Sequence, residues 1–322
     1  MKSNKYLLFD REINYDFKYF IKFLLYIPYS ILYKIWLYLF VKKDSRKCKY
    51  FISVCAIFKN EAKYLSEWLE YHLMLGVEHF YLYNNNSDDN YNEVLKEYIK
   101  TGIVTLINWP EIPGQLSAYK HWYENYRYES NWATFIDIDE FICPKYDRNI
   151  KEWIAKFDRF PIIVMYWRFF CSSGKINHDI NKPVIEQYFT CYDKPINMGK
   201  IIYNTRFDIV SFAMGMWHSA SCKVKGLVIP PINVHKNFIK WNIHRLQNSN
   251  LNLLLNHYWS KSYTALLEKK GKGASAFKGT YITDEWFWRN DSLCIKVDYT
   301  IYRFLLPLKL RINDTYNNLE LI

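Results

Sequence analysis

The chain reads as an α/β protein built on a mostly parallel sheet with helices on both faces. Short continuous apolar runs recur from residue 51 onward, helical apolar spacing fills the gaps between them, and polar clusters close the runs. Half of the 322 residues are hydrophobic, enough for a sizeable core, and 23% charged residues exclude a disordered chain and a polytopic membrane protein.

The N-terminus stands apart. Residues 1–49 hold eleven Lys and Arg against four Asp and Glu, so +7 of the net +11 sits there. A nucleic-acid binder would carry its basic excess on the folded body, so a membrane surface is the better partner and no nucleic acid is expected. Residues 19–41 form the most apolar run, long enough to span about 30 Å of hydrocarbon, but Lys22, Pro28 and Lys34 interrupt it. Basic flanks on both sides favour an interfacial, monotopic anchor on the cytoplasmic side; a helical hairpin packed on the protein's own core is the alternative. Residues 1–48 are therefore expected to be a membrane-associating segment, 49–275 a catalytic domain, and 276–322 an extension packed on it.

The folded body then unrolls in order. Residues 51–58 (FISVCAIF) suit a buried parallel strand, and Leu65, Trp68, Leu69, His72 and Leu73 make one helical face ended by Gly76. A strand at 79–83 stops at Asn84–Asp89, a helix over 91–100 closes at Gly102, and 103–109 reads as a third strand. A helix is expected over 115–128, one long strand over 132–144, and another strand over 161–170. Seven scattered cysteines lack any CxxC or Cys/His zinc spacing, which predicts reduced thiols. The 29 Tyr suit sugar stacking and membrane surfaces alike, so they decide nothing.

Ligands of open α/β sheets bind beyond the carboxyl ends of the strands. Three polar clusters fall there: Lys59-Asn60-Glu61, Asn84 to Asp89, and Asp137-Ile138-Asp139-Glu140. On an extended strand Asp137 and Asp139 would project to one side, which suits a hard divalent cation bridging to phosphate. The alternative is a solvated strand end, because a D-x-D triplet alone recurs by chance.

The segments VCAIFKNEAKYLSEWLEYHLMLGVEHFYLYNNNSDD, GQLSAYKHW and WATFIDIDEFICP resemble glycosyltransferase family 92 and its bacterial relatives. A fourth, NHYWSKSYTALLEKKGKG, is similar to that family's late N-H-Y-x-x-K-S signature, so the resemblance covers roughly residues 50–275. It implies a GT-A-like (Rossmann-like) fold and a hexosyltransferase using a nucleotide-sugar donor with a divalent metal, usually Mn2+, with Mg2+ as an alternative. The acceptor would be a saccharide or glycolipid in surface polysaccharide synthesis. Carried over, Asn60, Glu61, Asn85, Asp88 and Asp137 would hold the donor. Asp139 and His257 would ligate the metal, and Lys261 would pair with the diphosphate. Asp137, Asp139 and His257 form the expected catalytic set, while His218 resembles another family position. Trp167-Arg168-Phe169 resembles W-x-x-F-G but carries Phe170 in place of Gly. General-base candidates are Asp179, Glu186, Asp193 and Asp208. The rivals are a nucleotidyl- or phosphotransferase, which lacks its Gly-rich phosphate loop here, and a non-catalytic carbohydrate-binding protein.

Overall fold

The computed structural model describes residues 17–196, 198–213, 218–239, 251–272 and 283–320. Residues 1–16 of the expected anchor, and 276–282 and 321–322 of the expected extension, lie outside the described residues.

The apolar N-terminal run forms one helix, α1 (Phe17–Phe40), which continues through Pro28 rather than folding into a hairpin. Tyr26, Ser30, Tyr33 and Leu37 recur at helical spacing, and they and Val41 are buried against the body. Burying side chains such as Leu37 contributes about 1.5–3 kcal/mol each.

Strands and helices then alternate as their patterns dictate: β1 (Tyr50–Phe58), α2 (Ala62–Leu75), β2 (His79–Asn84), α3 (Tyr91–Lys100), β3 (Val104–Asn108), α4 (Gln115–Asn125) and β4 (Ser130–Phe135). Gly76 ends α2 with φ 102°; its N–H donates to the Leu73 carbonyl, and the Val77 N–H to that of His72. A side chain at residue 76 would also meet Asn149 Oδ1 at 2.6 Å. β1 pairs in parallel with β2 and β4, and β2 with β3. Adjacent residues of β2 show the layering, because successive side chains leave a strand on opposite faces. The Phe80 ring meets Trp68 of α2, while Tyr81 meets Trp122 of α4. Helices therefore cover both faces.

The remaining elements are β5 (Glu140–Pro144), α5 (Ile150–Ala155), β6 (Ile162–Phe169), α6 (Val184–Gln187), β7 (Thr190–Cys191), β8 (Gly199–Asn204), β9 (Asp208–Ala213), β10 (Ser219–Val224), β11 (Leu227–Ile229), β12 (Ile232–Asn233), β13 (Leu253–His257), α7 (Tyr263–Lys272), α8 (Asp284–Asp291), β14 (Lys296–Val297) and α9 (Leu305–Glu320). The main sheet runs β3-β2-β1-β4-β8-β6-β13-β5, with β12 beside β6. Its parallel half ends at β4, where β8 enters antiparallel; β6 and β13 run parallel, and β5 closes antiparallel to β13. β9, β10 and β11 form a separate antiparallel sheet, and β14 pairs with β7.

Two expectations are corrected. Residues 132–144 are two strands, not one: β4 ends at Phe135, the chain turns over Ile136–Asp139, and β5 starts at Glu140 at the far end of the sheet. Asp137 and Asp139 thus sit in a turn, and turn geometry, not strand alternation, presents them. The expected set of seven reduced thiols is also corrected. Cys171 is bonded to Cys294, whose Cα lies 6.2 Å away, tying the segment after β6 to the segment after α8.

Candidate active site

Polar side chains stitch the carboxyl ends of β1 and β2 together. Asn60 takes φ 55°, which Asn tolerates well. Its N–H donates to Ser87 Oγ (2.9 Å), and its Oδ1 accepts from the Asp88 N–H (2.8 Å). Buried Asn85 donates from Nδ2 to the carbonyls of Trp109 (2.7 Å) and Glu111 (2.8 Å). Asn60 and Asn85 therefore shape the two loops, while Asp88 is exposed and Glu61 stands at the N-terminus of α2 without a side-chain capping bond.

The acidic turn is closed by Glu140. Its N–H donates to the Asp137 carbonyl (3.0 Å), and its Oε2 accepts the Asp137 N–H (2.9 Å). Its Oε1 accepts from Trp167 Nε1 at 2.6 Å. Burial pushes this carboxyl well above its usual range against the pull of Lys200. Glu140 is thereby a brace beneath the turn.

Asp137 and Asp139 meet different surroundings. Asp137 accepts from Gln115 Nε2 at 3.1 Å through Oδ1 and pairs with Lys200 Nζ at 3.0 Å through Oδ2. The Lys200 side chain is 1% exposed. Burial would pull its ammonium down, but Asp137 and Glu140 outweigh burial and raise it. The preceding Gly199 is required: a Cβ there would lie 1.7 Å from the Met165 carbonyl oxygen, so β8 approaches β6 this closely only without a side chain. The Gly199 carbonyl also lies 2.6 Å from His218 Nδ1, which therefore carries a proton. Burial, aided by Lys200, holds the His218 pKa down at about 4, and its ring packs edge-on to Trp167.

Asp139 is 9% exposed and surrounded by late-chain groups. β13 delivers His257, whose Nε2 lies 3.4 Å from Asp139 Oδ1 and whose ring stacks on Phe169. α7 delivers Lys269, whose Nζ donates to Asp139 Oδ2 (2.6 Å) and to the Trp259 carbonyl (2.7 Å). Lys261 Nζ stands 3.9 Å from Oδ2 and 4.3 Å from the centre of the Tyr64 ring. Burial alone would raise the Asp139 pKa, but Lys269, His257 and Lys261 together hold it well below the usual carboxylate range. Burial lowers the His257 pKa against the opposing pull of Asp139.

Both shifts run in the direction that metal ligation favours, an ionised carboxylate at Asp139 and a neutral imidazole at His257. Oδ1 and Nε2 converge closely enough to share one ion. Among the described residues no group of three or more His, Cys, Asp or Glu could hold a metal. Two protein ligands are nevertheless enough for a small divalent cation that takes its remaining oxygens from phosphate and water. The donor set fits that role. Two carboxylates facing Lys200, Lys261 and Lys269 leave positive charge in excess, which suits a diphosphate.

Of the expected residues, Asp137, Asp139, His257 and Lys261 come together. The general-base candidates have other partners: Asp179 pairs with Lys182, Glu186 with Lys309 and Asp208 with Arg127, while Asp193 is exposed. Gln115 and Lys269 lie inside the quoted motifs without an assigned role. No motif covers Lys200, though a lysine within the apolar stretch at 199–204 is itself a signal, since lysine is almost never fully buried unless paired.

An α/β sheet with an acidic turn, a late histidine and lysines gathered in one place has the layout the resemblance implied for a glycosyltransferase. The chain belongs to glycosyltransferase family 92: the family's sequence model matches residues 49–225, more than half of it. A family 92 protein of Ricinus communis is 39% identical over 101 residues, 31% of this chain and 18% of that protein. One from Arabidopsis thaliana is 36% identical over 104 residues, 31% of this chain and 18% of that protein. The matched stretch thus spans under a fifth of the length of these relatives. Among solved structures, S. aureus TarS 1–349 in complex with UDP-GlcNAc aligns with 83% of this chain and 73% of its own, at 11% identity and a TM-score of 0.38.

Proposed function

We propose that this chain is a metal-dependent glycosyltransferase that moves a hexosyl group from a nucleotide-sugar donor to a saccharide or glycolipid acceptor, in the building of a surface polysaccharide. The observation that carries the reading is the 3.4 Å convergence of Asp139 and His257 from distant parts of the chain, flanked by Lys261 and Lys269. A divalent ion, Mn2+ or Mg2+, held by Asp139 and His257 would supply Lewis-acid stabilisation of the departing diphosphate. Lys261 and Lys269 neutralise the same developing charge, preorganised in a site from which water is largely excluded. Asn60, Glu61, Asn85 and Asp88 frame the nucleoside side. Gln115 and Lys200 hold Asp137, and Glu140 holds the turn, so the reacting groups need not reorganise.

The test is a panel of nucleotide-sugars offered to the full chain with and without Mn2+, read as released nucleoside diphosphate. Release from one donor that requires the metal is expected. No release from any donor, or equal release with a chelator present, would overturn the reading.

We infer that the enzyme works at the cytoplasmic face of a membrane as a peripheral or monotopic protein; the basic residues flanking α1 support this. One observation favours the opposite side, since a bond such as Cys171–Cys294 persists in oxidising compartments. Titrating thiols in the denatured chain from its native host separates the two. Seven reactive thiols fit the cytoplasmic face, and the five left by the disulfide would place the body outside it.

A further inference from the structure

α1 presents two unlike faces. The inner one is fixed to the body: Tyr26 Oη donates to the Phe238 carbonyl (2.6 Å), the Tyr33 ring packs on Phe238 at 5.1 Å, and Trp36 Nε1 donates to the Val224 carbonyl (3.3 Å). Near the C-terminal end, Arg159 Nη1 donates to the Tyr38 carbonyl at 3.1 Å. The outer face is apolar and open. Leu24, Ile31, Leu32, Ile35 and Leu39 are all exposed, Leu39 to 72%. A continuous apolar face of this length marks an interaction surface.

Among the described residues, the exposed charges near the ends of this face are cationic. Lys22 is exposed near the start of the helix, where it extends the line of the inner stripe beyond the body, and Lys42, Lys43 and Lys47 follow the helix end. The one acid among residues 41–49, Asp44, is bound to Arg46 at 2.8 Å. An apolar face with cations toward both ends of its helix complements an anionic lipid surface.

The segment 20–40 is long and apolar enough to cross a membrane, but the inner contacts decide how it meets one. They run from Tyr26 to Val41, roughly 22 Å of helix at 1.5 Å per residue. Only residues 17–25 of α1 precede the first of them, far short of the ~20 residues that crossing requires. An upright helix would carry Phe238, Val224 and Arg159 into hydrocarbon, where backbone polar groups cannot be satisfied by water.

We propose that α1 lies in the membrane plane, its inner stripe fixed to the catalytic body and its outer face seated in the acyl boundary of an anionic bilayer. This rests on the reading of the chain as a membrane-associated enzyme and adds its orientation. Two measurements on the full chain test it. Sedimentation with phosphatidylcholine–phosphatidylglycerol vesicles should fall by about tenfold or more when Leu32→Glu and Ile35→Glu are combined, because two outer-face side chains leave the acyl region. Fluorophores at Leu24→Cys, Ile31→Cys and Leu39→Cys, read with depth-graded lipid quenchers, should report one shallow depth at all three positions. Binding with Ile31 deepest and the other two near opposite interfaces would mean a span, overturning the orientation but not the membrane association. No vesicle binding by the unaltered chain would overturn both. A concentration-dependent dimer indifferent to vesicles would assign the face to a second copy instead.

Discussion

Asp137 and Asp139 stand two residues apart in one turn, yet the fold treats them differently. Asp137 is gripped by partners from the scaffold, Gln115 at the start of α4 and Lys200 on β8. Asp139 is met by β13 and by residues at and before α7, through His257, Lys261 and Lys269. The first arrangement locks a loop, whereas the second gathers late-chain cations and an imidazole around the carboxylate that we propose shares a metal ion. The D-x-D spelling hides this division of labour.

The largest effect is expected from Asp139→Asn. It removes the charge at nearly constant volume, and turnover of the donor should fall by about three orders of magnitude; the loss of a carboxylate partner for Lys261 and Lys269 lowers stability as well, so turnover is compared on protein shown to be folded. If transfer continues at a near wild-type rate at limiting Mn2+, the chemical role assigned to Asp139 is wrong.

Asp137→Asn should act chiefly on stability. It takes the carboxylate partner from the buried Lys200 ammonium; because the Asp137 side chain is one-third exposed, the cost is that of a charged hydrogen bond, about 1.5–3 kcal/mol. Denaturant unfolding reads this, and an unchanged midpoint would show that Lys200 has other support.

A smaller effect is expected at Glu67, outside the turn. It is buried, and its carboxylate accepts backbone N–H groups of Val184 (2.7 Å) and Ile185 (3.1 Å). Burial raises its pKa to about 7, despite those bonds and the pull of Lys261. Between its unfolded pKa and about 7 the native state therefore binds more protons than the unfolded state. The stabilisation is full below that window and is lost as pH rises through it, by about 3 kcal/mol at most. Glu67→Gln should flatten the decline in stability from pH 5 to 7; an unchanged slope would mean that the two N–H bonds keep Glu67 ionised.

How much of this was legible in the sequence follows the same divide. The parallel half could be read because each strand is a local apolar run with a polar end: α3 spans the expected 91–100, and β1 and β2 differ from their expected bounds by one residue. The other half depends on partners far apart in sequence. β5 pairs with β13 and β8 with β6, so no local pattern marks their order. Ile136 and Ile138 kept the apolar alternation running through the turn, which disguised a chain reversal as one strand. The late His–Lys segment was visible only as a motif, because the approach of Lys269 to Asp139 depends on how α7 packs. The Cys171–Cys294 bond closes a separation of 123 residues, and spacing carries no trace of it.

We place a divalent cation at the donor diphosphate, held jointly by Asp139 and His257. Electron paramagnetic resonance of Mn2+, titrated into the full chain with a nucleoside diphosphate present, measures that directly. His257→Ala should weaken Mn2+ binding by about tenfold or more, the scale expected when a metal's coordination is disturbed, with helix content unchanged. If the variant binds Mn2+ as the wild type does and merely melts lower, His257 is a core residue stacked on Phe169 and the metal site is not where we put it.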